Sequence, residues 1–184
     1  MIEAELKARV LYPEQLHERL RNLAAAERST YRDTYYDWPD GRLGADGREL
    51  RLRLVDAVGR QHALLTYKEP AIDSASGSKP EHETAVTDPA AADVMLRALG
   101  MVQLVAFEKH CTNYRFAAKG RDMLATVVRV PELDDTFIEV ETMTDEDSTR
   151  TALTDVRAVL HQLGISEDDL TTEQYTDAVL ETRQ

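Results

Sequence analysis

Ile2-Glu3-Ala4-Glu5-Leu6-Lys7-Ala8-Arg9-Val10 places a charged residue at every odd position and an apolar one at every even position. An α-helix would scatter these charges around its circumference. A β-strand sends successive side chains to opposite faces, so the segment predicts a strand with one charged and one apolar face. Glu49-Leu50-Arg51-Leu52-Arg53-Leu54-Val55 repeats the pattern, again with charge on the odd side. Residues 62–68 form the expected hairpin partner, with Thr66 and Lys68 on one face. Further strands are expected over 31–37, 79–87, 105–117 (with a break inside it left open), 123–130 and 137–142.

Helices and turns fill the intervals. Pro13 opens a helix with Leu16, Leu20, Leu23 and Ala24 on one face. Asp88-Pro89 caps and opens a second, which ends before Gly100. Residues 145–163 predict a third helix, stopped at Gly164, with Asp145-Glu146-Asp147 favouring its N-terminus. Residues 166–182 predict a fourth, more polar one. Residues 38–47 are rich in turn formers, and the polar stretch 73–78 predicts a mobile loop. The order is α+β with a dominant antiparallel sheet, expected as one domain over 1–184 with no repeat or linker.

The charged faces carry the chemistry. Glu3, Glu5 and Lys7 share one, as do Arg51 and Arg53, Glu81 and Glu83, Lys109 and Arg115, and Glu139 and Glu141. For a single strand, the ordinary explanation is a sheet with one side in water. Taken together, seven or eight such strands also suit a closed barrel, apolar face outward under helices and charged face inward. Inward charge must be compensated by partners or by a ligand. A mixture of Lys, Arg and Glu suits a polyanion accompanied by a metal cation, because guanidinium and ammonium groups take phosphate oxygens and carboxylates take Mg²⁺ or Mn²⁺.

Composition narrows the classes. The net charge of −12 argues against a nucleic-acid binder, which needs clustered cations facing phosphates. No apolar run reaches the length of a membrane span, and no basic segment followed by an apolar one opens the chain. Cys111 is the only cysteine, so no intrachain disulfide forms, which suits the cytoplasm.

The segment Glu3-x-Glu5-x-Lys7 resembles the ExExK signature of the CYTH, or triphosphate tunnel, superfamily. That superfamily includes class IV adenylyl cyclases and thiamine and inorganic triphosphatases. The resemblance gains weight from order along the chain: Leu50-Arg51-Leu52-Arg53, Thr66-Tyr67-Lys68, Lys79-Pro80-Glu81-His82-Glu83-Thr84, Phe107-Glu108-Lys109 and Phe137-Ile138-Glu139-Val140-Glu141 are similar to the successive strand motifs. It implies an eight-stranded antiparallel β-barrel with helices outside. It also implies Glu3, Glu5, Glu139 and Glu141 as metal ligands for Mg²⁺ or Mn²⁺. Lys7, Arg51, Arg53, Lys68 and Lys109 would bind the phosphate chain, with Lys7, Arg53 and Lys68 closest to the chemistry. Glu81 and Glu83 would support those bases.

The expected function is a metal-dependent phosphohydrolase acting on an organic or inorganic triphosphate. The alternatives are a class IV-type adenylyl cyclase and a non-catalytic phosphate-binding module. The expected partner is a small phosphorylated substrate, with no nucleic acid and no membrane; homodimers are common in the family.

Two departures stand out against this resemblance. Many members read Lys-x-Arg where this chain has Lys109-His110-Cys111, and Arg115 on the same face is the expected compensation. The strand ending Val127-Val128-Arg129 lacks a usual Asp, with Val128 or Arg129 in its place, and Arg129 is expected to contact phosphate directly. Among the remaining residues, His17, His62, His82, His110 and His161 have no zinc-like spacing and are expected at the surface or in packing. Cys111 is expected as a buried, inert thiol. Tyr31, Tyr35 and Tyr36 with Asp33, Asp37 and Trp38 suit either a base-stacking mouth or, more simply, a strand edge packed on the first helix.

Overall fold

The computed structural model describes residues 2–72 and 78–184. Its strands are β1 (Ile2–Arg9), β2 (Glu27–Asp37), β3 (Glu49–Ala57), β4 (Arg60–Lys68), β5 (Lys79–Val86), β6 (Val102–Ala118), β7 (Arg121–Arg129) and β8 (Thr136–Thr144). They close into an antiparallel barrel in the order β1-β5-β4-β3-β2-β6-β7-β8. Five helices accompany it: α1 (Pro13–Arg21), α2 (Arg42–Ala45), α3 (Pro89–Ala98), α4 (Thr149–Gln162) and α5 (Tyr175–Thr182). No helix among the described residues is long and apolar enough to cross a membrane.

Alternation decides which face is which. The even residues of β1, Leu6 and Ala8, point outward and are buried beneath α1 and α4. There they join Leu16, Leu20, Tyr114, Ala125, Ile138, Val140, Val156 and Leu160 in the principal core. The main hydrophobic core therefore lies outside the barrel wall. Each fully buried Leu or Ile in it contributes about 1.5–3 kcal/mol, enough to free the barrel interior for charge.

Several boundaries differ from expectation. β2 begins at Glu27 because Glu27-Arg28-Ser29-Thr30, though polar, pairs with Asn113 back to His110 of β6. β6 runs unbroken for 17 residues, since it must pair with β2 along one part and β7 along another. β2 is a wall strand between β3 and β6, so its tyrosines are not an edge packed on α1. α1 stops at Arg21, leaving Leu23 exposed. The loop after β2 contains the short α2, whose first backbone N–H groups are held by Asp37 through Leu43 N at 3.0 Å and Gly44 N at 3.0 Å.

The C-terminal region departs most. α4 starts at Thr149, with Asp145 accepting from Ser148 N at 2.8 Å ahead of it. Residues 166–182 are not one helix. Ser166 and Asp169 cap each other across a single 3₁₀ turn, Glu167–Asp169, and residues 170–174 then run extended beside β1. Leu170 bridges Ala8, and Thr171 N donates to Lys7 O at 2.9 Å before α5 begins. Of the expected mobile loop, residues 73–77 lie outside the described residues. Ser78 is fully buried, and its hydroxyl accepts from Glu5 N at 3.2 Å.

Candidate active site in the tunnel

Inside the barrel, the odd faces of β1, β3, β6 and β8 meet. Glu5 stands opposite Glu141, and Lys7 opposite Glu139, in the β1–β8 pairing. Arg51 stands opposite Thr66, and Glu49 opposite Lys68, across β3–β4. The charged side chains of these pairs line a cavity of about 100 Å³ together with Glu3, Arg53, Lys79 and Lys109, and Tyr175 from the start of α5 closes part of it.

Three carboxylates converge: one oxygen from each of Glu3, Glu5 and Glu141 lies within 4.8 Å of the others. Burial, reinforced by Glu139 and Glu3, pushes the Glu5 carboxyl up to about 8. Burial followed by Glu3 and Glu5 holds Glu141 well above the usual carboxylate range. Burial acts the same way on Glu3, but the adjacent Lys68 ammonium at 2.8 Å outweighs it and leaves Glu3 below the ordinary value. Hard oxygen donors crowded to the point of mutual repulsion are what a divalent cation relieves, so this donor set fits Mg²⁺ or Mn²⁺. Glu139 stands apart from the trio. Burial raises its carboxyl, yet Lys109 and Lys7 outweigh that and keep it low.

The cations differ in how fully they are engaged. Lys68 bridges Glu3 and Glu81, the latter at 2.9 Å. Lys79 pairs with Glu49. Lys7 donates to the backbone carbonyl of Glu173 and lies 4.4 Å from the centre of the Tyr175 ring. Lys109 lies over the same ring at 4.1 Å. Arg53 gives two hydrogen bonds to Asp33, both 2.7 Å, and stacks on Tyr31. Among the described residues, Arg51 has one long contact, with Thr66 at 3.4 Å, and its Nε is buried without a partner. A buried guanidinium with an unmet donor favours an anionic acceptor in its vicinity.

Of the sequence-predicted residues, Glu3, Glu5, Lys7, Arg51, Arg53, Lys68, Lys109, Glu139 and Glu141 are brought together. Glu81 supports Lys68, and Glu83 accepts from Thr66 Oγ1 at 2.9 Å. Arg115 and Arg129 are not brought in. Arg115 keeps the inward parity but sits exposed toward the end of β6. Arg129 is exposed on the outer wall opposite His110, because Val128 occupies the inward position. The expected phosphate contact from Arg129 is therefore corrected. Cys111 is buried as expected, and burial pushes its thiol up to about 12.

Cys111 and Val128 together form part of an apolar floor with Phe107, Phe137, Tyr175 and Val179. Missed by the sequence reading were Asp33, Glu49, Lys79, Tyr175 and the buried network in which Asn113 Nδ2 donates to Ser29 Oγ and Tyr31 Oη while Thr126 donates to Asn113 Oδ1. The Tyr31-x-Asp33-x-Tyr35 alternation was the available signal for Asp33.

Comparison with known proteins agrees with this geometry. A curated relative from Methanocaldococcus jannaschii, described as a "putative adenylate cyclase", is 25% identical over 180 residues, covering 96% of this chain and 98% of the relative. Two solved structures share the fold. A Pyrococcus horikoshii protein has a TM-score of 0.83 at 24% identity, covering 98% of this chain and 99% of its own. A Vibrio parahaemolyticus protein described in the same words as the first relative has a TM-score of 0.82 at 24% identity, covering 98% of each chain. The family model described as "CYTH domain" matches residues 1–175, and with the closed barrel and its charged interior, the chain belongs to the CYTH domain family.

Proposed function

We propose that the protein is a divalent-metal-dependent phosphohydrolase acting on an organic or inorganic triphosphate held in the tunnel. The observation that carries this reading is the unmet, buried Nε of Arg51 in the same cavity as the convergent oxygens of Glu3, Glu5 and Glu141. One feature calls for an anion, the other for a cation, and a metal–triphosphate complex brings both.

Charge accounting supports the pairing. The cavity holds six cations (Lys7, Arg51, Arg53, Lys68, Lys79 and Lys109) against Glu3, Glu5, Glu49, Glu139 and Glu141, with Asp33 and Glu81 bonded to Arg53 and Lys68. Five carboxyls line the cavity with the six cations, and two of them, Glu5 and Glu141, are crowded enough to hold protons; a divalent cation entering with the triphosphate takes the place of those protons.

In this reading, Arg51, Arg53, Lys7, Lys68 and Lys109 hold and orient the phosphate oxygens, and Lys7, Arg53 and Lys68 offset charge that develops as the anhydride bond breaks. Glu3, Glu5 and Glu141 hold Mg²⁺ or Mn²⁺, with Glu139 at the boundary between metal and ammonium groups. The cation, when bound, supplies Lewis acidity toward the phosphate oxygens. Glu81 and Glu83 fix Lys68 and Thr66. The same reading carries a cytoplasmic enzyme, built as one domain over 1–184, that binds neither nucleic acid nor membrane and is monomeric or homodimeric.

The description of the M. jannaschii relative favours a second reading, cyclisation of ATP to cyclic AMP and pyrophosphate in the same tunnel. Incubation with tripolyphosphate, thiamine triphosphate and ATP in the presence of Mn²⁺ separates the two. Release of inorganic phosphate supports hydrolysis, and cyclic AMP with pyrophosphate supports the cyclase. Calorimetric binding with no product identifies a binding module, and absence of both binding and product rejects all three.

A further inference from the structure

Asp33 has no place in the metal or phosphate assignments above, yet it is among the most buried charges in the protein, with 1% of its surface exposed. It lies on β2 between β3 and β6, opposite Arg53 on one side and Phe107 on the other. Its two oxygens take Nε and Nη2 of Arg53, each at 2.7 Å, and Oδ2 also lies 3.8 Å from Lys109 Nζ. Tyr31 covers one face of the same guanidinium, its ring centre 4.4 Å from the Arg53 Cζ. One edge and one face of Arg53 are thus occupied, and its remaining N–H groups are what a ligand can meet. Arg51, by contrast, has no carboxylate bonded to its guanidinium among the described residues.

We infer that Asp33 is a positioning residue that meters the positive charge of the tunnel: it fixes Arg53 edge-on and offsets Lys109, leaving Arg51 as the guanidinium free to grip two phosphate oxygens. This rests on the triphosphate reading and adds a residue that sets how strongly the chain is held against how well it is oriented. A carboxylate shared by two cations weakens their pull on the ligand and at the same time removes the rotational freedom of the guanidinium. Tight fixation favours the transition state over the ground state only if orientation is kept while ground-state attraction is moderated.

The test is tripolyphosphate binding by calorimetry and phosphate release with Mn²⁺, on the wild type, D33N and D33E. D33N removes the charge at nearly constant shape. It is expected to bind tripolyphosphate roughly fivefold more tightly, while kcat falls roughly tenfold or more. D33E keeps the charge but shifts its position, so affinity stays near wild type while kcat falls. A purely structural role would weaken affinity and kcat together in D33N, and that result, or unchanged affinity, overturns the inference. Lack of tripolyphosphate binding by the wild type overturns the functional reading itself. Should D33N fail to fold, R53Q and the D33N/R53Q double variant supply the readout. The stranded Asp33 charge in R53Q opposes the ligand, so the double variant is expected to bind more tightly than R53Q, and equal or weaker binding overturns the inference.

Discussion

Cys111 and Val128 stand directly opposite each other across the β6–β7 pairing, both facing into the barrel and both buried. The two positions singled out in the sequence, Cys111 and the Val128-Arg129 step, thus meet at one place in the wall, where an apolar pair fills the inward side. Replacing a buried ion pair by a packed apolar pair is neutral or stabilising, whereas introducing one charge alone is costly.

That relationship predicts strong coupling. Cys111→Arg alone strands a cation on an apolar floor and is expected to cost about 3–5 kcal/mol. This corresponds to a drop in Tm of roughly 10 °C for a chain of this size. Val128→Asp alone is expected to be similarly harmful. The double variant recovers at least half of the summed loss, measured by thermal unfolding of all four proteins. Simple additivity would show that the two positions act independently.

The acidic trio predicts a pH dependence with a definite sign. Burial, then Glu139 and Glu3, put Glu5 at about 8, and Glu141 is raised as well. An unfolded Glu titrates near 4.3, about where the folded Glu5 still keeps its proton. Between roughly pH 4.5 and 8 the native state binds more protons than the unfolded chain, so metal-free stability falls as pH rises. The lowered groups Glu3, Glu139 and Asp33 stabilise the fold throughout that window, and their contribution is lost only as pH falls below it. His17, lowered by burial and then Arg21, opposes the trend as one imidazole against the three raised carboxyls of Glu5, Glu141 and Glu81, the last raised chiefly by burial. Melting temperature is expected to decline from about pH 5 to pH 8 in EDTA, and millimolar Mn²⁺ is expected to reverse the decline at the alkaline end.

Arg51 is expected to separate binding from stability. Exchange for Met removes a donor that the folded protein leaves unmet, so Tm holds or rises. Tripolyphosphate affinity falls about 10- to 100-fold, the equivalent of one or two charge-assisted hydrogen bonds. Calorimetry beside a melting curve reads both, and a parallel loss of stability would assign Arg51 a structural role.

Arg129→Asp is expected to leave metal dependence, kcat and KM as in the wild type. The side chain is exposed on the outer wall, with the barrel strand between it and the cavity. A steady-state comparison across Mn²⁺ concentrations checks this, and a changed metal requirement would return Arg129 to the site.

The barrel and most of its interior were legible because β1 throughout and β3 from Glu49 to Leu54 alternate charged and apolar residues, and a period of two admits one assignment of faces. Arg129 was misplaced because shifting the point of comparison by one residue moves a side chain to the opposite face, and Val128 and Arg129 offered no internal marker of which came inward. Asp33 was overlooked among aromatic neighbours whose sequence suited several kinds of packing. Its identity as the partner of Arg53 depends on which strand lies beside β2. Tyr175 was beyond reach for a different reason. Its arrival over Lys7 and Lys109 depends on an extended passage at 170–174, where the amphipathic pattern suggested a continuous helix.

The first strand lies along the full length of the eighth, from Ile2 against Thr144 to Arg9 against Phe137, while only Ile2 and Glu3 reach β5. During synthesis β1 emerges first yet waits for its principal partner until some 135 further residues have been added. At ordinary elongation rates that delay is on the order of ten seconds. Through it, Leu6 and Ala8 have no core and Glu3 and Glu5 have no counterpart from β8. The charged half of this strand, costly in the finished tunnel, keeps the waiting segment soluble and discourages pairing with another nascent chain.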